Sequence, residues 1–579
     1  MKYLRLTLLS ALALGAVLIS GAGATPGTTT RVSLDSSGGN PNNDSGAAVT
    51  ATDGRYVAFA SLATDLVAGD LAGAEDVFVY DRQTNTTDRA SVDSSELEGV
   101  AASKAPDLSD DGRYVAFESL SDNLIGINQD NNGVYDVFVR DRTNGTTERV
   151  SVSTAGVESN GASRGASISA DGRYVAYYSL ASNLIASDTN GNYDVFVRDR
   201  QTSTTTRVSV SNAGAEGLLG SDLPSISDTG RYVAFGSFSN NLVTGDGNGF
   251  YRDIFVRDTT GSTTIRASVS TAGVQENDES THASISGDGR YVAFQSLATT
   301  LVLGDTNTCG SFTTPGSCPD VFVRDTTSNT TVRASVSSAG VQGDGQSTAP
   351  RISGNGRYVA YESEATNLVS GDTNTCGSFT TAGTCPDVFV RDTVNNKTGR
   401  VSLDSADAQA NNLSLAAAMA GSGRLTIFAS DASNLVTGDT NNRTDIFAHE
   451  LADSDADSEW EPFDNCPNWS NTGQALPAWT VPAGDVDCDG WTSADEVTIT
   501  TLALQQCPAT TTPNDEDPDA WPPDFNDDRS VNITDVLAMK PYFNTSVPPT
   551  PPRYDIVPTG AVNITDILGL KPYFNKSCT

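Results

Sequence analysis

The chain runs to 579 residues and carries 72 Asp plus Glu against 35 Lys plus Arg, a net charge of −37. Such a field repels a phosphate backbone, which argues against a nucleic-acid partner and in favour of divalent cations. The length suits several domains or one large repeat fold, and nothing after the first residues approaches the roughly 20 consecutive apolar residues that a membrane span requires.

In chain order, Lys2 and Arg5 precede an apolar run from Leu6 to Ile19 and the small residues Gly21-Ala22-Gly23-Ala24. This is the pattern of a secretory signal peptide over residues 1–24, so the mature protein is expected to be secreted, with cell-surface association as an accompanying expectation.

From residue 28 to 451 a unit of about 60 residues recurs. Its first motif, Gly-Arg-Tyr-Val-Ala-Phe/Tyr, begins at Gly54, Gly112, Gly172, Gly230, Gly289 and Gly356, with Gly423-Arg-Leu-Thr-Ile-Phe as a divergent seventh. The second, Asp-Val/Ile-Phe-Val-Arg-Asp, begins at Asp76, Asp136, Asp194, Asp253, Asp320, Asp387 and Asp445. The third, Thr-Thr-x-Arg-Val/Ala-Ser, places Arg at 31, 89, 149, 207, 266, 333 and 400. Each motif is short, rich in Val, Phe and Tyr, and bounded by Gly, Asp, Asn and Thr, which is the pattern of antiparallel strands. A further stretch such as Pro224-Ser-Ile-Ser227 supplies an innermost fourth strand, and four strands per unit is the count of a propeller blade. The N-terminus opens on a lone third motif at Thr30-Arg31-Val32, while the last unit lacks one, so the first strand is expected to complete the seventh blade and close the ring.

The Ser-x-Asp-Gly-Arg-Tyr-Val-Ala unit, as in Ser169-Ala-Asp171-Gly-Arg-Tyr-Val-Ala, resembles the TolB-like propeller repeats of bacterial secreted and periplasmic proteins. The resemblance implies an all-β, seven-bladed β-propeller over residues 28–451 and leaves its function open.

Within the ring, loops such as Asp188-Thr-Asn190-Gly-Asn192-Tyr-Asp194 and Asp439-Thr-Asn441-Asn-Arg-Thr-Asp445 set oxygen side chains at alternate positions. They are similar to the calcium loops of integrin-type propellers but lack the third Asp and the following Gly; Asx-turns in a hairpin are the other reading. The repeated Phe-Val-Arg-Asp, with Arg198 and Asp199 as one copy, reads as a structural ladder, since a catalytic centre needs one asymmetric constellation. Two near-copies, Cys309-GSFTTPGS-Cys318 and Cys376-GSFTTAGT-Cys385, are paired within their own loops, as an oxidising compartment permits. Cys466, Cys488, Cys507 and Cys578 admit three pairings and have neither the CxxC spacing nor the His neighbours of a zinc site.

Acidic loops follow over 452–512. Asp453, Asp455, Asp457, Glu461 and Asp464 occupy positions 1, 3, 5, 9 and 12 of a segment that resembles a thrombospondin type 3 calcium repeat, with Ser458 at the usual Gly. Asp485, Asp487 and Asp489, then Gly490, the Trp491 backbone carbonyl and Glu496, match an EF-hand-like loop in ligand spacing and in the Gly of its sharp turn. A Pro-rich linker over 513–523 leads to a duplicated segment over 524–579.

Its first copy places Asp524, Asn526, Asp528, Ser530, Asn532 and Asp535 around a loop, and Lys540-Pro-Tyr-Phe follows; the second, from Asp555, has Val557 and Thr559 at two ligand positions and should bind calcium poorly. The duplication resembles a type I dockerin, which implies an α-helical, EF-hand-like module that binds Ca2+ and a cohesin-like or cell-envelope partner. In that family the residues at loop positions 10 and 11 help to choose the partner; here they are Ile533-Thr534 and Ile564-Thr565.

The sequence therefore reads as a secreted, non-catalytic, calcium-binding propeller that binds a protein or glycan and is tethered through its tail. The alternative is an extracellular glycoside hydrolase or an accessory protein of polysaccharide catabolism, for which no asymmetric carboxylate pair stands out. The two histidines, His282 and His449, lie in no metal or triad motif.

Overall fold

A computed structural model describes residues 27–451, apart from 72, 127–128, 310–317 and 378–383, together with four dipeptides of the tail. The segments expected to form a signal peptide, the acidic loops and the dockerin-like helices lie outside the described residues.

Seven four-stranded antiparallel sheets follow one another along the chain. Taking residues 163–207 as an example, the inner strand Ser163–Ile168 pairs with Tyr174–Ser179, which pairs with Asp194–Asp199, which pairs with the outer strand Thr204–Arg207. The three sequence motifs are thus the second, third and fourth strands of each blade. The six N-terminal blades are each contiguous in sequence. The seventh joins the strands Ser414–Met419, Leu425–Ser430 and Asp445–Glu450 to Thr29–Arg31 from the N-terminus. Thr29 faces His449 and Arg31 faces Phe447 in that register, so the ring closes as the motif order requires. The borrowed strand covers the edge of Asp445–Glu450 that another chain could otherwise extend. The Thr29 hydroxyl also lies 2.8 Å from His449 Nδ1, a buried contact between the two ends of the ring.

Hydrophobic cores sit between neighbouring sheets. One core joins Val57, Phe59 and Phe78 of the first blade to Ile427 and Ala448 of the seventh; the next joins Ala58 and Val77 to Phe117 and Phe138. Alternation along each strand sends successive side chains to the two faces, and since both faces are covered the central strands are buried throughout, as in Asp194–Asp199. Within each blade the aromatic of the second strand lies against that of the third, for example Tyr177 on Phe196 with centroids 6.0 Å apart. Each fully buried ring contributes about 1.5–3 kcal/mol.

The turn glycine of the first motif ties blade to blade. Gly172 has φ of +70°, and a Cβ there would collide with the Tyr114 ring of the preceding blade. The Arg of the same motif lies over its own Tyr and chelates the Asp that ends the third strand: Arg173 donates from Nε and Nη2 to Asp199 at 3.0 and 2.7 Å. The same pairing recurs at Arg55–Asp81, Arg113–Asp141, Arg231–Asp258, Arg290–Asp325 and Arg357–Asp392. Each inner strand carries a bulge toward the ring axis, between Arg164 and Ser167 in the third blade, and the residue at the bulge has positive φ in all seven, from Ala47 to Ala416.

Candidate functional site

Beneath the loops between second and third strands, the carboxylates that the sequence set at alternate positions converge on the Arg of the outer strand. In the third blade Arg207 Nη1 lies 3.8 Å from Asp188, 3.1 Å from Asp194 and 2.5 Å from Glu216, while Nη2 donates to the Ser187 carbonyl. Arg149 meets Asp130, Asp136 and Glu158 in the same way, and Arg89 meets Asp70, Asp76 and Glu98. Each set of three carboxylates brings its oxygens within 4.8 Å of one another, close enough in principle for a metal ion. The guanidinium already stands among them as the counter-charge.

The remaining blades vary the theme. In the fifth, Arg333 faces Asp305 and Asp320, and Gln342 replaces the glutamate; its amide donates to both aspartates at 2.8 and 2.9 Å. Gln409 does the same to Asp372 and Asp387 beside Arg400. In the seventh blade Arg31 reaches Asp439 and Asp445, and Asn40 accepts from its Nη1. In the fourth, Gln275 bridges Asp246 and Asp253 beside Arg266, and an extra buried carboxyl, Glu276, abuts Asp253, which with burial pushes it up to about 10.

The loops that resemble integrin calcium loops are therefore arginine cages, and their Asn residues serve local turns. Asn190 donates to Asp194 and accepts from the Asn192 N–H. Burial first, then neighbouring carboxylates, push Asp188 up to about 6 and Asp130 up to about 7. The sequence held the signal for the cages' fourth member: Glu or Gln recurs at 98, 158, 216, 275, 342 and 409, in the short hairpin after each outer strand. The Phe-Val-Arg-Asp arginines have a different task. Arg198 donates to the Ser153 and Ser203 carbonyls and the Thr205 hydroxyl, joining its blade to the preceding one.

Both expected disulfides are present, Cys309–Cys318 and Cys376–Cys385, each with Cα atoms 5.5 Å apart. The axial channel is a cavity of about 440 Å³ walled by the inner strands of all seven blades. Among the described residues no helix is long and apolar enough to cross a membrane.

The candidate ligands Asp453, Asp455, Asp457, Glu461, Asp464, Asp485, Asp487, Asp489, Trp491, Glu496, Asp524, Asn526, Asp528, Asn532 and Asp535, and the partner-choosing Ile533, Thr534, Ile564 and Thr565, all lie outside the described residues. Ser530 belongs to a described backbone pair. Ser530–Val531 pairs with Lys576–Ser577, and Thr545–Ser546 pairs with Ala561–Val562, both antiparallel. Each copy's loop thus pairs with the segment trailing the other copy. The spacing from Ser530 to Ala561 equals that from Ser546 to Ser577, so the two pairs are related by the duplication itself.

No curated protein matches the chain. Among solved structures it is similar to TolB from Acinetobacter baumannii at 15% identity and a TM-score of 0.32, over 56% of this chain and 58% of that one. It is similar to oligogalacturonate lyase from Vibrio parahaemolyticus at 12% identity and a TM-score of 0.41, over 74% of this chain and 100% of that one. The β-propeller domain of the Trilobed protease from Pyrococcus furiosus gives 8% identity and a TM-score of 0.41, over 70% of this chain and 95% of that one. The chain spans little more than half the length of the TolB it matches. Residues 522–575 match the family described as Dockerin type I domain, so the chain is a seven-bladed propeller that carries a dockerin type I domain C-terminal to the ring.

Proposed function

We propose that this protein is a secreted, non-catalytic binding propeller that is held in place through its dockerin domain, with Ca2+ ordering the tail and a glycan or protein as the propeller's ligand. The observation that carries this reading is the dockerin match at 522–575, set beside a segment of unusual charge. Between Arg443 and Arg529 there is no Lys or Arg, although the segment contains the carboxylate sets at Asp453 to Asp464 and Asp485 to Glu496. Clustered carboxylates without arginine need another cation. At extracellular millimolar levels Ca2+ occupies even loops with affinities on the order of 10⁻⁴ to 10⁻³ M.

The dockerin match supports a cohesin-like partner, and the disulfides fit an extracellular setting. Hydrolysis of glycosides is the weaker reading, because it needs two carboxyls free to face a sugar. Among the described residues, the aspartates of the cages are tied to Arg or Gln, and the extra carboxyl beside them, Glu276, is buried.

The test is retention of the full-length chain on immobilised cohesin modules in Ca2+ and in EGTA, with metal analysis of the purified protein. Saturable retention in Ca2+ that is lost in EGTA supports the reading. Absence of both bound Ca2+ and retention would sink it, and turnover of a glycan by the purified chain would replace it with the hydrolase.

A further inference from the structure

The cages repeat around the ring, but the axial channel does not. At the fifth position of each inner strand the wall carries Asp107 in the second blade, Ser167, Ser225 and Ser284 in the next three, Arg351 in the sixth, and only apolar Val49 and Ala418 in the other two. Each polar side chain but one is anchored to its neighbour blade. Asp107 accepts the N–H groups of Leu108 and Ile168 at 3.0 and 2.8 Å. The Ser167, Ser225 and Ser284 hydroxyl oxygens accept from Ile226, Ile285 and Ile352.

Arg351 is the exception. Its guanidinium donates to the Pro350 carbonyl at 3.2 Å, and among the described residues no carboxylate lies within ion-pair distance of it. Asp107 and Glu362 act on it through space alone, and Glu362 already accepts the Ala416 N–H. The other basic side chains near the axis are engaged: Arg252 holds Asp222 at 2.5 Å, and Lys104 and Arg164 lie over Tyr135 beside Glu118. His282, beside Arg351 on the wall, is pushed down to about 4 by burial and then by Arg351 and Arg252, so it is neutral. In a chain of net charge −37 the channel therefore exposes a single guanidinium with most of its donors unspent.

We propose that the axial channel binds a small sugar-acid monocarboxylate, with Arg351 as the residue that takes its carboxylate. The planar guanidinium fork matches a carboxylate in bidentate fashion. One unpaired cation balances one negative charge, and Asp107 on the same girdle disfavours a second, which selects a monoanion over phosphate or a dicarboxylate. The Ser225 and Ser284 hydroxyls have used an oxygen lone pair on the backbone and retain O–H donors for ligand hydroxyls. Half-buried apolar groups such as Leu223, Ala416 and Met419 offer the C–H faces of a sugar a place to lie. A channel of about 440 Å³ is within the ordinary size of small-molecule sites.

This deepens the binding role proposed for the ring and rests on that role alone, not on the tail. The experiment is isothermal titration of the full-length chain with D-glucuronate, with D-glucose as the neutral counterpart and inorganic phosphate as the polyanion. Saturable glucuronate binding is expected, weakened about tenfold or more by Arg351→Gln, as the loss of a charged hydrogen-bond pair implies. Arg351→Lys should recover part of the affinity and Asp107→Asn should retain it. Unchanged melting temperatures keep the variants comparable, since among the described residues Arg351 makes one hydrogen bond, to the Pro350 carbonyl. Equal affinity for glucose and glucuronate, tighter binding of phosphate, affinity indifferent to Arg351→Gln, or no binding by the folded chain would each overturn the assignment. None of these outcomes bears on calcium-dependent retention by cohesin, so the two proposals fail separately.

Discussion

Ring and tail are both acidic, but they answer their acids differently. In the ring's cages the converging aspartates have an arginine delivered from the adjacent outer strand, as Arg207 is delivered to Asp188, Asp194 and Glu216. In the segment between Arg443 and Arg529 no basic side chain of that kind is available in the sequence. A covalently supplied cation makes the ring's loops independent of solution conditions. On the calcium reading proposed for the tail, its cation is borrowed from solvent, which makes that structure conditional on metal. The comparison teaches that alternating Asp and Asn is not by itself a metal signature: what matters is whether the chain supplies its own positive charge.

The largest effect should come from breaking that supply. Arg207→Met leaves three carboxylates gathered in a site whose arginine was only 5% exposed. Removing one partner of a buried ion pair costs about 3–5 kcal/mol, and the variant should melt correspondingly lower. If the arginine stands where a metal would, Ca2+ at about 10 mM, well above the weak extracellular range of affinities, should restore part of the loss in the variant and do nothing to the ring of the parent protein. Calorimetry with and without Ca2+ reads both; a variant as stable as the parent would show that the cages are not needed.

The next effect is the converse, in the tail. Chelation with EGTA should speed proteolysis of the tail about tenfold or more, since metal-coupled folding is lost with the metal, while the melting of the ring stays unchanged. Mass-resolved digestion distinguishes the two regions. Equal protection of the tail with and without Ca2+ would remove the contrast altogether.

How much of this was legible beforehand follows the same division. The ring's architecture could be read because its strands repeat: Gly-Arg-Tyr-Val-Ala, Asp-Val-Phe-Val-Arg-Asp and Thr-Thr-x-Arg each occur at the spacing of a blade, and the orphan third motif at Arg31 announced the closure onto Phe447. The members of the cages recur in the sequence, but their convergence was not legible, because they come from three separate segments. Asp188 and Asp194 are close in sequence, but Arg207 and Glu216 join them only through strand pairing and the hairpin of Val210 with Glu216. The channel was hidden for a similar reason. Asp107 and Arg351 share a girdle only because the ring brings the second and sixth blades to one axis.

Acidity provides a third, smaller test of the ring. Burial, offset in part by arginine, pushes Asp70, Asp188, Asp320, Asp387 and Asp445 up to about 6 and, with neighbouring acids, Asp130 to about 7. A carboxyl raised from 3.8 binds its proton in the folded state first, so its contribution to stability is full below about pH 4 and is lost as the pH rises through 6 to 7. Burial lowers His282 and His449 from 6.5 to about 4, which acts oppositely: their contribution is full above pH 6.5 and is lost toward pH 4. Asp81, Asp141 and Asp258, held down to about 2 by Arg55, Arg113 and Arg231, lose theirs as the pH falls from about 4 through 2. With Asp107 also raised to about 6 and Glu276 to about 10, eight raised carboxyls outnumber two lowered histidines, so the ring's melting temperature should be highest near pH 5 and fall on both sides. A maximum at pH 7 to 8 would contradict the charge balance assigned to the cages.

The smallest effect tests whether three acids around one arginine are one too many. Glu216→Gln converts the third blade's cage to the composition of the fifth and sixth, where Gln342 and Gln409 donate to both aspartates and still accept the Thr306 and Thr373 N–H groups. The substituted amide can keep the acceptor role that Glu216 plays toward the Thr189 N–H while adding a donor toward Asp188 and Asp194. It gives up the charged contact with Arg207, and it removes one of the acids that raise Asp188. The two changes oppose each other, so the net shift at pH 7.5 should stay within about 1 kcal/mol. The informative quantity is the slope. With a neutral neighbour Asp188 returns toward its ordinary range, and the rise in stability between pH 7.5 and 5 should become shallower in the variant than in the parent. An unchanged slope would mean that Asp188 owes its raised affinity for protons to burial and Asp194 rather than to Glu216.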